Sequence, residues 1–397
     1  MTAVRSPIAA VIALGITQIV GYGTLYYSFS ILAHDMAKDL SWPVEWLFGA
    51  LSAALLVGGL TAPWLGNWID RYGAGRIMTA GSAVAATALV ACAAAPEAIS
   101  FVIALVAIQV ASNLVQYGAA FALLVQISPR DAQRNITYLT LIAGFASTAF
   151  WPITTALHAQ MSWQGAYLVF AVLNLVVCMP LHAWLSFRRT GQGQIATEPH
   201  QHVEGSLAAA VRPLGFALMV IALSVQNLVS AAILVHMVPL LSGLGLGATA
   251  AVVGTLFGPA QVLSRFINMV AGINLAPLTL AIISAVLMTA GVGVLLATAP
   301  SIAGAMTFAV IFGMGNGLFS IVTGALPLAL FGSDGYGRLQ GRAMSARLIV
   351  SAVAPFALAF AMATIGISWA LSFTILLGVV ALAIFVAIGR LAARSPW

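Results

Sequence analysis

The feature that most constrains this chain is a succession of apolar runs, each about 20 residues long, the length a helix needs to cross the hydrocarbon core of a bilayer. Breaking the sequence at charges and at Pro and Gly clusters gives twelve such spans. The first six are residues 8–32, 44–65, 77–95, 99–124, 136–157 and 166–187. The second six are 214–241, 248–270, 278–297, 302–330, 343–365 and 369–388. Of the 397 residues 62% are hydrophobic and 6% charged, against about 25% charged in a soluble domain, which excludes a soluble globular protein. The first run exceeds the core of a signal peptide, about 7–15 residues, and is retained as a span. The expected fold class is therefore all-α: a polytopic membrane protein of twelve transmembrane helices in two six-helix repeats. A polar segment, 188–213, separates an N-terminal half, 1–187, from a C-terminal half, 214–397, and reads as a linker.

The few charges report topology. Arg265 and Arg347 lie at or inside span limits, which leaves thirteen of the fifteen basic residues in loops and tails. Twelve of them, Arg5, Arg71, Arg76, Arg130, Arg134, Arg188, Arg189, Arg212, Arg338, Arg342, Arg390 and Arg394, fall on one side, and only Lys38 on the other. Basic residues accumulate in cytoplasmic loops, so both termini and the linker are expected in the cytoplasm and the chain in the cell (inner) membrane. Scattered arginines make no stripe for nucleic acid. Cys92 and Cys178 sit within apolar runs and match no metal spacing, and no cofactor or metal is expected. An intramembrane Asp pair and a His-Glu-x-x-His helix are both absent, which argues against a membrane enzyme.

Polar side chains inside spans are costly toward lipid and are expected to face other helices or a water-filled cavity. Span 1 carries Gln18, Tyr22 and Tyr26 at four-residue intervals, on one helix face. Span 4 carries Gln109, Asn113, Gln116 and Tyr117, span 7 Gln226, Asn227 and Ser230, and span 10 Asn316, Ser320 and Thr323. Simple interhelical bonding would explain any one amide. Their gathering in equivalent spans of the two repeats favours a polar-lined central cavity. No Asp or Glu lies in a span interior, so a buried carboxylate relay has no candidate. Glu45, His182 and His236 near span ends read as satisfied interfacial groups. Arg265 and Arg347 either snorkel to the interface or, with no buried acid to pair them, offer a planar, permanently charged fork to an anionic small molecule.

The segment Gly66-Asn67-Trp68-Ile69-Asp70-Arg71-Tyr72-Gly73-Ala74-Gly75-Arg76, placed between spans 2 and 3, resembles the signature loop of the major facilitator superfamily, with Gly75 at a position that is usually basic. The resemblance covers essentially the whole chain. It implies alternating access, with Gly66, Asp70, Arg71, Gly73 and Arg76 bracing one gate and Asp70 facing the positive N-terminal end of span 11. The stretches Gly21-Tyr22-Gly23-Thr24-Leu25-Tyr26-Tyr27-Ser28-Phe29 and Gly258-Pro259-Ala260-Gln261-Val262-Leu263-Ser264-Arg265 resemble the monocarboxylate and oxalate:formate branch. That resemblance implies that Arg265 and Arg347 bind carboxylate. The substrate set is then Gln18, Tyr22, Tyr26, Asn113, Gln116, Asn227, Arg265, Asn316 and Arg347. The expected function is secondary active transport of a small organic anion, a mono- or dicarboxylate, by a monomer, with a coupling ion left open. The alternative is efflux of a neutral or amphipathic compound.

Overall fold

The computed structural model describes residues 7–192, 203–247 and 249–393. Arg5, Arg394 and Glu198, with much of the linker, lie outside the described residues. Eleven helices among the described residues are long and apolar enough to cross a membrane. They are spans 1 (Ile8–Asp39), 2 (Val44–Tyr72), 3 (Ala74–Ala93), 4 (Ala98–Ile127), 5 (Ala132–His158), 6 (Trp163–Phe187), 7 (Ala209–Leu246), 9 (Pro277–Thr298), 10 (Ile302–Phe331), 11 (Tyr336–Ile365) and 12 (Ile367–Ala393).

Span 8 differs from expectation. It is two helices, Thr249–Thr255 and Phe257–Ala271. Pro259 accounts for the break: it has no N–H to give the carbonyl four residues earlier, that of Thr255, and its ring crowds that carbonyl. Span 4 is also interrupted, at Gln116, whose backbone is extended (φ −83°, ψ −166°) between Ala98–Val115 and Tyr117–Ile127. Gln116 thus leaves the helical face on which its spacing put it. The helices run past the apolar runs at their polar ends. Asp35, Lys38 and Asp39 belong to the last turns of span 1, and Arg338 and Arg342 lie within span 11, not in a loop before it.

The chain forms two compact units. One is Met1–Val203 with Ser333–Ser345; the other is Glu204–Gly332 with Ala346–Trp397. In the first, span 3 packs on spans 4 and 6, span 2 on span 4, and span 1 on span 5. In the second, span 10 lies against spans 8 and 9, and span 12 against spans 7 and 9. Glycines lie at several of these contacts, Gly81 against Leu114, Gly291 against Phe312 and Gly313 against Phe257, as expected where lipid removes the hydrophobic drive between helices and close packing replaces it. Large apolar side chains such as Trp64, Phe187, Phe356 and Trp369 remain on the perimeter, the surface a bilayer would cover.

Candidate functional site

The second unit brings its polar residues into a connected set. Arg265, one turn and a half beyond Pro259, is only 4% exposed. Its Nε donates to the Gly317 carbonyl (3.2 Å) and its Nη2 to Ser320 Oγ (2.8 Å), both on span 10. Ser320 Oγ donates in turn to the Asn316 carbonyl (3.3 Å), and Asn316 Oδ1 accepts from Ser230 Oγ of span 7 (2.5 Å). One spacing explains the chain of contacts: Asn316 and Ser320 are four residues apart and therefore share a face. Arg265 is held inside the bundle by span 10 and does not reach for the interface. Asn227 donates to the Arg347 carbonyl (3.4 Å) and to Ser351 Oγ, both on span 11. Arg347 is half-buried. The unit's one carboxylate is Glu204, which is exposed and lies against Gly332.

In the first unit the expected residues are placed differently. Gln18, with no exposed surface, donates its amide to the Val115 carbonyl (2.7 Å). That carbonyl is freed by the break at Gln116, where the helix has no following donor. Asn113 donates to the Gly58 carbonyl of span 2 (2.7 Å). Tyr22 lies 4.9 Å, ring to ring, from Tyr117, which stacks on Phe121 at 5.0 Å, and Tyr22 is 6.3 Å from Tyr27. Tyr26 is about half exposed and meets Tyr27 edge-on at 5.3 Å. Tyr27 was not singled out in the sequence; it joins Tyr22 because residues Gly23–Tyr27 form a π-helical turn, and a wider turn brings together residues five apart. His182 is buried, not interfacial, and bonds Ser82 Oγ at 2.8 Å.

The signature segment is not a loop. Gly66 to Tyr72 are the last turns of span 2, and span 3 begins at Ala74, so Gly73 alone connects them, at φ +87°. A positive φ of this kind favours glycine, the one residue without a Cβ to clash. Gln126, at the end of span 4, bridges the kink: its Oε1 accepts from the Ala74 N–H (2.9 Å) and its Nε2 donates to the Ile69 carbonyl (3.3 Å). Nothing in the sequence marked Gln126, because its partners are backbone groups. Asp70 accepts from the Gly337 N–H (2.8 Å, Oδ1) and the Arg338 N–H (2.7 Å, Oδ2), two first-turn donors of span 11 that have no helical acceptor. The helix dipole adds to this attraction. Span 2 and the start of span 11 approach at Gly66, where a Cβ would overlap the Gly337 carbonyl. Arg71 lies over the Tyr72 ring at 5.3 Å, and Arg76 is exposed. Gly75 stands where a basic residue is usual because span 6 is pressed against it: a Cβ there would meet the Ser186 backbone at 2.8 Å.

Eleven long apolar helices among the described residues define a polytopic membrane protein. The chain belongs to the major facilitator superfamily, whose family profile matches residues 14–355. No curated protein matches it in sequence. Among solved structures it resembles the Escherichia coli fucose:proton symporter FucP at 14% identity, with a TM-score of 0.69 over 97% of this chain and 99% of that one. It resembles the human organic anion transporter MFSD10 at 13% identity and a TM-score of 0.69, over 96% of this chain and 99% of that one. A bacterial homologue of the iron transporter ferroportin, outward-facing, aligns at 14% identity and 0.73, over 97% of this chain and all of that one. At these identities the likeness is one of fold.

Proposed function

We propose that the protein is a secondary transporter for a small organic anion, a mono- or dicarboxylate, working by alternating access. It would act as a monomer in the cell (inner) membrane, with both termini cytoplasmic. The observation that carries this reading is Arg265, a guanidinium 4% exposed that Gly317 and Ser320 hold on span 10. A carboxylate cargo fits a planar guanidinium in two-point fashion. Ser320 and Asn316 orient the guanidinium, and Arg347 adds a second positive charge to the same unit. Asn227 of the same unit is assigned to the body of the substrate, and Tyr22, Tyr26 and Gln116 are proposed for it from their residue types and spacing alone. Asp70, with Gly66, Arg71, Gly73 and Arg76, forms a latch that holds one state of the cycle. The similarity of the Gly258–Arg265 stretch to the monocarboxylate and oxalate:formate branch supports the same cargo class.

The test is uptake of labelled mono- and dicarboxylates into vesicles holding the purified protein. Arg265→Gln and Arg347→Gln should each abolish selectivity for acids over their neutral amides. If both variants transport acids as the parent does, the anion reading fails. Efflux of a neutral or amphipathic compound is the second reading, favoured by the aromatic group of Tyr22, Tyr27, Tyr117 and Phe121. It predicts that the arginine variants retain transport and that Tyr22→Ala loses it.

A further inference from the structure

The end of the central linker is a built structure, not a bare tether. The segment 203–207 runs antiparallel to 329–333, where span 10 ends. The Ser333 N–H donates to the Val203 carbonyl (3.0 Å), and the Val203 N–H donates to Ser333 Oγ (3.2 Å). Glu204 then pairs with Gly332 in a bridge. The Ser206 N–H donates to the Ala329 carbonyl (2.9 Å) and the Leu207 N–H to that of Leu330 (3.2 Å). These two carbonyls are among the last four of their helix, which lack donors within it, so the linker supplies what a cap would. Leu207 anchors the segment at 1% exposure, seated over Gly215, where a side chain would overlap it. Arg212 Nε closes the contact on the Leu207 carbonyl at 3.1 Å. Gly205 passes so close to the backbone of Leu330 and Phe331 that an added Cβ would collide with both.

The turn that leaves this clasp is short. Ser333, held by Val203, is followed four residues later by Gly337, held by Asp70. A few residues gripped at both ends have little freedom, because each fixed residue gives up backbone entropy, and fixing one end reduces what the other must still lose. We infer that the linker's end is a clasp that positions the first turn of span 11 for Asp70, which makes the linker a control arm for that latch. Whatever pulls the segment 203–207 away from span 10 loosens the grip on Gly337 and Arg338. By thermodynamic linkage the reverse holds as well: breaking the latch loosens the clasp.

Hydrogen–deuterium exchange on the purified full-length protein in detergent tests this without knowledge of the cargo. Gly205→Val, which forces the segment off, should raise amide exchange at least tenfold in peptides covering 203–208 and also in those covering 336–340. Asp70→Asn should raise exchange in 336–340 and, through the coupling, in 203–208. Leu207→Ala removes the anchor without adding bulk and gives the same reading if Gly205→Val does not accumulate. Exchange in 336–340 that stays at the parent level while 203–208 is released overturns the proposal. So does an Asp70→Asn protein whose 203–208 amides remain protected.

Discussion

The polar residues of the two units were expected to be equivalent, and they are used in different ways. In the first unit three amides of spans 1 and 4 are spent on backbone: Gln18 on Val115, Asn113 on Gly58, Gln126 on Ile69. Each satisfies a carbonyl of a neighbouring helix or of a helix break, which is what amides do as glue in a bilayer. In the second unit two side-chain pairs, Ser230 with Asn316 and Ser320 with Arg265, are joined through the Asn316 backbone carbonyl. A series of hydroxyls and amides that ends on a buried charge has a direction and a terminus. Similar composition on repeated spans therefore does not mean similar work. The aromatic rings and the Asp70 latch distinguish the first unit, and the charge distinguishes the second.

The sharpest way to break this contrast is at its charged end. Arg265→Gln should reduce uptake kcat/KM for a carboxylate by about 30-fold or more, since truncating one member of a buried charge pair costs about 2–5 kcal/mol. Arg265→Lys should recover only part of the loss, because an ammonium cannot reproduce the planar fork. If Gln18→Leu lowers carboxylate affinity as much as Arg265→Gln does, the contrast is wrong.

Next in size is the latch. Asp70→Ala leaves the Gly337 and Arg338 N–H groups without their acceptor, and hydrogen bonds to a charged group contribute about 1.5–3 kcal/mol each. Turnover should fall about tenfold as one conformation loses its support, while the apparent KM for substrate changes less than threefold. Initial rates across a substrate series in vesicles would show this split. A rise in KM equal to the fall in kcat would place Asp70 among the substrate contacts instead.

A smaller effect is expected where the first unit's amides act as glue. Gln18→Leu removes the donor to Val115 at a site where the Gln18 Oε1 is already buried without a partner. The loss of one bond is therefore set against the relief of one orphaned acceptor, and stability should drop by about 1 kcal/mol or less. Thermal unfolding in detergent reads this directly, and transport at permissive temperature should be unchanged.

The periodicity of apolar residues made the membrane helices legible, because lipid leaves the backbone no alternative to self-satisfied hydrogen bonds. The span limits were less legible. Helices continue past the apolar run when a charged end finds a partner, as Asp70 does on Gly337 and Arg338. The breaks at Gln116 and in span 8 had only weak signals; of these Pro259, four residues beyond Thr255, was readable in principle. Arg265 and the Asn316 and Ser320 spacing were visible as residue types, but not that span 10 would hold the guanidinium. Contacts to backbone, such as those of Gln126 and of the linker's end, leave no trace in side-chain patterning, which is why they emerged only from the fold.

The smallest effect concerns the far rim of the first unit. There Asp35 meets His158 Nε2 at 2.6 Å, with side chains 40% and 30% exposed. One turn away, Asp39 accepts from Trp163 Nε1 (2.7 Å) and Gln164 Nε2 (2.9 Å). Both carboxylates lie at the C-terminal end of span 1, where the helix dipole disfavours negative charge, so each needs its partner on span 5 or span 6. The contact is an ion pair only when His158 is protonated; solvent then screens it, and exposed pairs contribute about 0–1 kcal/mol. A double-mutant cycle with His158→Gln and Asp35→Asn should return a coupling within that range that shrinks as salt is raised, since the screening length falls from about 10 Å at 0.1 M to about 3 Å at 1 M. Asp39→Asn keeps an oxygen for the indole and amide donors and should cost no more. A salt-independent coupling above that range would mean the rim is shielded from solvent and that the first unit, too, holds a charge in a protected place.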